Sequence, residues 1–224
     1  MKRLERLGEA TAPDGTVLTL YRRDGAYSIR AGGVDLMSTR RHHSEERLAD
    51  VVCVPLRDSR ESRVLIGGLG FGFTLKAALR VLPRDARVVV VEIVSEIIEW
   101  NRNPQYPLAG EALLDPRVEV VHDDVAHVLR ANRCGFDAIM LDVDNGAEAL
   151  TTDGNAGLYR RRGVEMTKAA LRPGGRIAYW SAGEDPRFLA LLRRAGLSVR
   201  SSRVRAHGTS GGMHTLLVAE ASAT

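Results

Sequence analysis

Four short apolar runs between residues 64 and 142 each end in glycine or carboxylate, and their spacing is that of a nucleoside site. The run at 64–66 leads into Gly67-Gly68-Leu69-Gly70-Phe71-Gly72, and a helical pattern follows. Gly68, Gly70 and Gly72 let the backbone turn sharply and let a ligand approach a helix N-terminus. Glu92 stands at the tip of the next run, 22 residues beyond Gly70, where an acid accepts both hydroxyls of a ribose. Position 73 is phenylalanine, so the third-glycine spacing of the dinucleotide fingerprint is missing and no pyrophosphate grip is evident. A nucleoside is therefore expected rather than NAD. The third run ends in His122-Asp123-Asp124 and the fourth in Asp142-Val143-Asp144-Asn145. Asp124 suits the exocyclic amine of adenine. Asp142 would face the middle of the crevice as a general base, with Asp144 and Asn145 assisting at the acceptor.

These residues need a scaffold that brings four strand ends together. Strands are expected at 64–66, 87–91, 118–121, 136–141 and 176–180, with helices at 73–82, 94–102, 125–131 and 159–171 between them. Continuous β-branched stretches such as Val88-Val89-Val90-Val91 belong to strands buried on both faces, hence to a parallel sheet between helices. A helix at 186–195 and strands at 198–204 and 214–219 close the pattern as a terminal hairpin. The fold class is α/β, a doubly wound sheet of Rossmann type, and its strand ends share one crevice at the topological switch point. The first sixty residues differ. Runs at 16–21 and 27–30 flank Arg23-Asp24-Gly25, a hairpin turn signal, and 34–37 reads as a third strand. Ser44 followed by Glu45 and Glu46 suits the start of a helix over 44–54. Two domains follow: 1–58, a small β-hairpin subdomain with its linking helix, and 59–224, the nucleoside-binding domain.

Composition narrows the function classes. The chain has 224 residues, 44% hydrophobic and 27% charged, which excludes disordered and fibrous classes. No apolar run approaches the roughly 18 residues that span a bilayer, and the charged N-terminus shows no secretion signal. Cys53 and Cys134 are far apart in sequence, so neither a disulfide framework nor a zinc site is expected, and a cytoplasmic setting is the default. Net charge is +4, but only Lys2, Lys76 and Lys168 are lysines; the other 29 of the 32 basic residues are arginines scattered along the chain. Aromatics are 5%, too few for a stacking platform, so no nucleic-acid partner and no membrane partner are expected. His42-His43 reads as an exposed turn ahead of a lining of the crevice mouth, Tyr159 as a residue beside the substrate or packing its helix on the sheet, and Trp180-Ser181 as a pocket wall or core. Cys134 has no evident histidine base and receives no nucleophilic role.

The string Val64-Leu65-Ile66-Gly67-Gly68-Leu69-Gly70-Phe71-Gly72, with Val91-Glu92-Ile93, Asp115-Pro116-Arg117-Val118, His122-Asp123-Asp124, Phe136-Asp137-Ala138-Ile139, Asp142 and Leu171-Arg172-Pro173-Gly174-Gly175, resembles spermidine synthase. More broadly it resembles the class I S-adenosylmethionine-dependent methyltransferase superfamily to which that enzyme belongs. The resemblance covers most of 63–180 and extends to the preceding hairpin. It implies that Glu92 binds the ribose hydroxyls, that Asp123 and Asp124 flank the adenine, that Asp142 receives the proton of the acceptor amine and that Tyr159 lies beside the substrate. Three positions depart from the aminopropyltransferase pattern. Phe71 stands where that family's glycine loop carries an aspartate for the donor's ammonium, Asp142-Val143-Asp144-Asn145 replaces an Asp-x-x-Asp, and a Tyr-His pair is missing around Ser44-Glu45-Glu46. The expected protein is a transferase using S-adenosylmethionine, with methyl transfer to a small molecule ranked first. Aminopropyl transfer from decarboxylated S-adenosylmethionine to putrescine or a related diamine is the alternative, and a non-catalytic nucleoside-binding protein on the same fold is a third. No metal is required, and a homodimer with a small-molecule acceptor is expected.

Overall fold

A computed structural model describes residues 3–142, 157–207 and 212–221. The small sheet comes first in the chain. Strands β1 (Glu5–Thr11), β2 (Val17–Arg23), β3 (Ala26–Ala31) and β4 (Val34–Ser38) form an antiparallel sheet in chain order. Between β2 and β3, Asp24 and Gly25 both have positive φ, 50° and 75°, as a two-residue turn matched to strand twist requires. Leu18, Leu20, Tyr27 and Ile29 alternate onto one buried face.

Strand β1 adds a fourth member to the three expected from sequence. Its residues Glu5-Arg6-Leu7-Gly8-Glu9-Ala10-Thr11 carry charge and a glycine, which masks the alternation, and an edge strand tolerates both. The pairing slips between Arg6 and Gly8. A Cβ at Gly8 would lie 2.7 Å from Trp100 Nε1, so close packing under the sheet fixes that glycine.

The large sheet has the order β10-β11-β9-β8-β5-β6-β7. Its parallel core is β5 (Arg63–Gly67), β6 (Arg87–Glu92), β7 (Val118–His122), β8 (Phe136–Leu141) and β9 (Leu171–Ser181). The hairpin β10 (Ser198–Arg205) and β11 (Met213–Glu220) closes one edge antiparallel, with β11 against β9. From β5 the chain runs outward to β6 and β7, then returns to place β8 on the other side, so the switch point lies between β5 and β8. Strand β9 starts five residues before the expected 176, because Leu171 already pairs with Phe136 ahead of the irregular Pro173-Gly174-Gly175.

Helices cover both faces. They are α1 (His43–Cys53), α2 (Phe73–Val81), α3 (Ser95–Arg102), the short α4 (Gly110–Leu113), α5 (Val125–Ala131), α6 (Arg161–Ala170) and α7 (Pro186–Arg194). Among these described α-helices, only α4 lacks a counterpart in the sequence pattern, since four residues carry no helical period. Alternation along the central strands feeds two cores. Val64, Ile66, Val88, Val90, Ala138 and Met140 face α1, α2, α3 and the small sheet. Leu65, Val89, Val91, Ile139 and Leu141 face α5, α6 and α7. Although α1 follows the small sheet in sequence, its buried residues Ser44, Leu48, Ala49, Val52 and Cys53 pack on α2 and the β8–β9 side of the large sheet. Among the described residues, no helix is long and apolar enough to cross a membrane.

Candidate active site

Register puts the chemistry-bearing residues on one level. Gly67 pairs with Val91 on β6 and Leu141 on β8, and Glu92 pairs with His122 on β7. Beyond the strands, backbone N–H groups continue the ladder. Gly68 donates to Val91 C=O at 2.8 Å, Asp123 to Glu92 C=O at 3.2 Å, and Asp142 to Gly67 C=O at 3.0 Å. The C-terminal ends of β5, β6, β7 and β8 therefore present Gly68, Glu92, Asp123 and Asp142 side by side, as the sequence reading requires.

Glu92 is 7% exposed. Its Oε2 accepts from Leu69 N–H at 2.9 Å and its Oε1 from Val94 N–H at 3.0 Å. Burial pushes this carboxyl above the usual range, and the backbone N–H groups, Val94 first and Leu69 next, pull it back. The N–H groups of Ile93 and Gly70 also act on it, so the side chain pins the glycine loop.

The loop turns through left-handed backbone at Gly68 (φ 91°), Gly70 (φ 51°) and Gly72 (φ 72°). At Gly72 a Cβ would sit 2.3 Å from Ala109 Cβ, so packing within the protein already explains this glycine. At Gly70 the neighbour is Met37 Sδ, 3.3 Å from a built Cβ, which brings β4 over the loop. Asn101, a polar residue on the buried face of α3, holds the loop from behind. Its Nδ2 donates to Gly70 C=O and Ile97 C=O, both at 2.8 Å, and its Oδ1 accepts from Ala109 N–H at 3.1 Å. The sequence reading missed Asn101; the available signal was an amide beside Ile97 and Ile98 on an otherwise apolar helix face.

The two adenine candidates also hold local partners. Asp124 is the N-cap of α5, accepting from Ala126 N–H at 2.7 Å. Asp123 is half-buried; its Oδ1 accepts from Asp124 N–H at 2.7 Å and faces His127 Nδ1 at 3.0 Å. The His127 contact, with that N–H, holds the Asp123 carboxyl below the usual range.

Across the switch point, Asp142 Oδ2 accepts from Thr74 Oγ1 at 3.2 Å. Glu45 on α1 faces Asp142, and its carboxyl is pushed well above the usual range, by burial first and then by Asp142 and Glu46. Neither Thr74 nor Glu45 figured as a site residue in sequence. Thr74 is hidden in an ordinary helix start, and Glu45 matched the acidic first turn that helices favour. Asp144 and Asn145 lie outside the described residues.

Other candidates pack against neighbouring side chains. His42 stacks on Phe73 with ring centroids 4.2 Å apart, and its Nδ1 lies 3.5 Å from the Glu46 carboxylate. Trp180 meets His214 edge-on at 4.6 Å, and His214 Nδ1 is 2.9 Å from Ser44 Oγ. The Tyr159 ring lies in the core on the α6–α7 side, 5.9 Å from Tyr179 and 5.1 Å from Phe188. Phe71 is 2% exposed and buried between the glycine loop and the small sheet. It lines a cavity of about 200 Å³ with Tyr27, Thr39, Phe73 and Lys76.

No protein-family model matches the chain. Among curated proteins it is 31% identical over 192 residues to a polyamine aminopropyltransferase of Corynebacterium efficiens, covering 75% of this chain and 36% of that protein. It is 32% identical over 139 residues to polyamine aminopropyltransferase 2 of Pseudomonas aeruginosa, covering 58% of this chain and 37% of that protein. The chain thus spans little more than a third of the length of these two relatives. Among solved structures, spermidine synthase from Thermotoga maritima superposes with a TM-score of 0.71 at 18% identity, covering 98% of this chain and 74% of that one. A spermidine synthase in complex with the transition state analogue AdoDATO gives 0.73 at 19% identity, covering 98% and 73%. In sequence the chain is similar to these polyamine aminopropyltransferases, and it shares its fold with the solved spermidine synthases.

Proposed function

We propose that the protein transfers the aminopropyl group of decarboxylated S-adenosylmethionine to an amine acceptor, a diamine such as putrescine. The observation that carries this reading is Asp142. It stands one strand from the glycine loop and on the level of Glu92, held by Thr74. The relatives' names favour aminopropyl transfer over methyl transfer, which the sequence ranked first. The residues present fit the nucleoside part of the donor. Glu92 stands at a strand end where an acid can meet a ribose, Gly68 and Gly70 carry left-handed turns, and Asp123 and Asp124 follow the next strand.

Chemically the reaction is an in-line displacement. The acceptor enters as an ammonium ion and loses one proton, for which Asp142 is the base. Its nitrogen lone pair then forms the new C–N bond at the carbon bound to sulfur. The C–S bond breaks with its electron pair on sulfur, so the sulfonium leaves as neutral methylthioadenosine. The product amine keeps its positive charge, and the overall reaction releases one proton. The protein's contribution is to hold donor and acceptor in line and exclude water.

The glycine loop carries no acid for the donor's ammonium, and Phe71 turns into the core. Donor choice is therefore the decisive test. Protein incubated with putrescine and either donor should release methylthioadenosine from the decarboxylated form. Release of S-adenosylhomocysteine from S-adenosylmethionine, with no methylthioadenosine from the other donor, would return the reading to methyl transfer. Binding of methylthioadenosine without turnover of either donor would leave the non-catalytic reading.

A further inference from the structure

We propose that Glu45 sets acceptor specificity: with Asp142 it forms a two-carboxylate site for the ammonium group of a cationic acceptor. The inference rests on the transferase reading above and names a residue that reading does not need.

Three observations converge on it. First, Glu45 projects from the first turn of α1 into the protein, and its Oε2 is sealed from solvent with no hydrogen-bond partner among the described residues. An unpaired buried carboxylate is costly, more so beside a second acid, and a cation entering between them relieves both. Second, the two acids are structurally linked. Thr74 Oγ1 lies 3.2 Å from Asp142 Oδ2 and 3.4 Å from the Glu45 carbonyl oxygen, so one hydroxyl spans α1 and the end of β8. Third, the helix start that carries Glu45 is anchored. The neighbouring Ser44 is buried and bonded to His214, which in turn meets Trp180. Trp180 lies one residue past Tyr179, the register partner of Leu141, and so on the level of Asp142. Its indole Nε1 is also buried without a partner among the described residues. An anchored acid, an aromatic side chain and a base near one strand end suit an alkyl ammonium chain. A neutral acceptor would offer neither carboxyl a countercharge.

The transfer reaction supplies the divisions that acceptor chemistry needs. Only one proton must leave the incoming ammonium, and Asp142 takes it. Glu45 is then a binding residue that need not titrate during turnover. Its removal should therefore appear in KM for the acceptor far more than in kcat.

The test is Glu45→Gln, which keeps shape and removes charge. Initial rates of methylthioadenosine release are measured against putrescine at saturating decarboxylated donor, and against a monoamine of equal chain length. Calorimetric affinity for methylthioadenosine and the melting temperature complete the set. The expected result is a putrescine KM raised about tenfold or more, kcat little changed, methylthioadenosine affinity intact and a melting temperature equal to or above wild type. A wild-type KM together with a lowered melting temperature would make Glu45 a helix-start acid and nothing more, leaving the transferase reading standing. A wild-type protein that releases no methylthioadenosine with any diamine removes the reading and the inference together. If Glu45→Gln fails to fold, Glu45→Asp, which keeps the charge but withdraws it by one methylene, must still raise KM.

Discussion

The two sides of the crevice are built on opposite principles. On the donor side, between the glycine loop and β6, polar groups are matched before any ligand arrives. Glu92 holds Leu69 and Val94, Asn101 holds Gly70 and Ala109, and Asp124 caps α5. On the acceptor side, between α1 and β8, Glu45 and Asp142 repel one another, and Glu45 keeps a buried oxygen without a partner among the described residues. A prepaired site holds its shape. A frustrated one waits for the charge that completes it. Under the proposed function, rigidity serves a constant donor, and unsatisfied charge serves selection among acceptors.

The largest effect should come from the acceptor side. Asp142→Asn keeps the hydrogen bond from Thr74 but removes the base, so turnover should fall by about 10²–10⁴ while methylthioadenosine affinity stays near wild type. Single-turnover rate, calorimetric affinity and melting temperature on one variant separate the roles. Early melting with normal turnover would reduce Asp142 to a turn former.

On the donor side, Glu92→Ala strikes both the ligand and the loop. Ribose loses a charged acceptor, at a cost of about 1.5–3 kcal/mol, or tenfold and more in affinity. The variant should also melt early, because the buried N–H groups of Leu69 and Val94 lose their partner. Full methylthioadenosine affinity in a folded Glu92→Ala protein would remove the nucleoside assignment.

What sequence made legible follows the same division. The strands of the large sheet, the glycine loop and the strand-end acids could be read because each depends on local pattern: β-branched runs, left-handed turns, an acid after a strand. Strand β8 and helix α5 match their expected bounds, 136–141 and 125–131. Charged β1 escaped because an edge strand paired on one side need not alternate. Asn101 and Glu45 escaped for a different reason. Their roles come from partners 31 residues away at Gly70 and 97 residues away at Asp142, distances over which spacing says nothing about contact. Asp123 and Asp124 were legible as types, yet both serve the turn before α5 as well, which their strand-end position alone does not distinguish.

A smaller effect is expected at Asn101, and it sharpens the contrast because this residue touches no ligand in the proposed arrangement. Asn101→Ala leaves the carbonyls of Gly70 and Ile97 and the N–H of Ala109 without their buried partner. Destabilisation of about 1–3 kcal/mol is expected, or roughly 2–4 °C in Tm per kcal/mol for a chain of this size. Donor affinity should weaken along with it, since the loop loses its brace, whereas acceptor KM should hold. Loss of acceptor KM with unchanged donor affinity would show that the two sides are coupled rather than separate.

The last and smallest effect lies in the pH dependence of stability. Burial and the Asp142 charge raise the Glu45 carboxyl above its unfolded range, so the folded state binds this proton more tightly. Its contribution is fully present below the ordinary glutamate range and is lost as pH rises through the raised folded value. Asp115, Asp123 and Glu220 are shifted down, so their contributions have the opposite sign and vanish as pH falls below the ordinary carboxylate range. His214, lowered by burial, also disfavours acid, from its ordinary range downward. These groups remain in Glu45→Gln, and the difference between the wild-type and variant melting curves isolates the Glu45 pair. That difference should grow in favour of the variant as pH rises above the ordinary glutamate range, by a few degrees at most given the scale of roughly 2–4 °C per kcal/mol. Putrescine should shrink it by stabilising wild type more than the variant. A difference that is flat across pH would mean that Glu45 and Asp142 do not strain each other, and the acceptor side would then be as settled as the donor side.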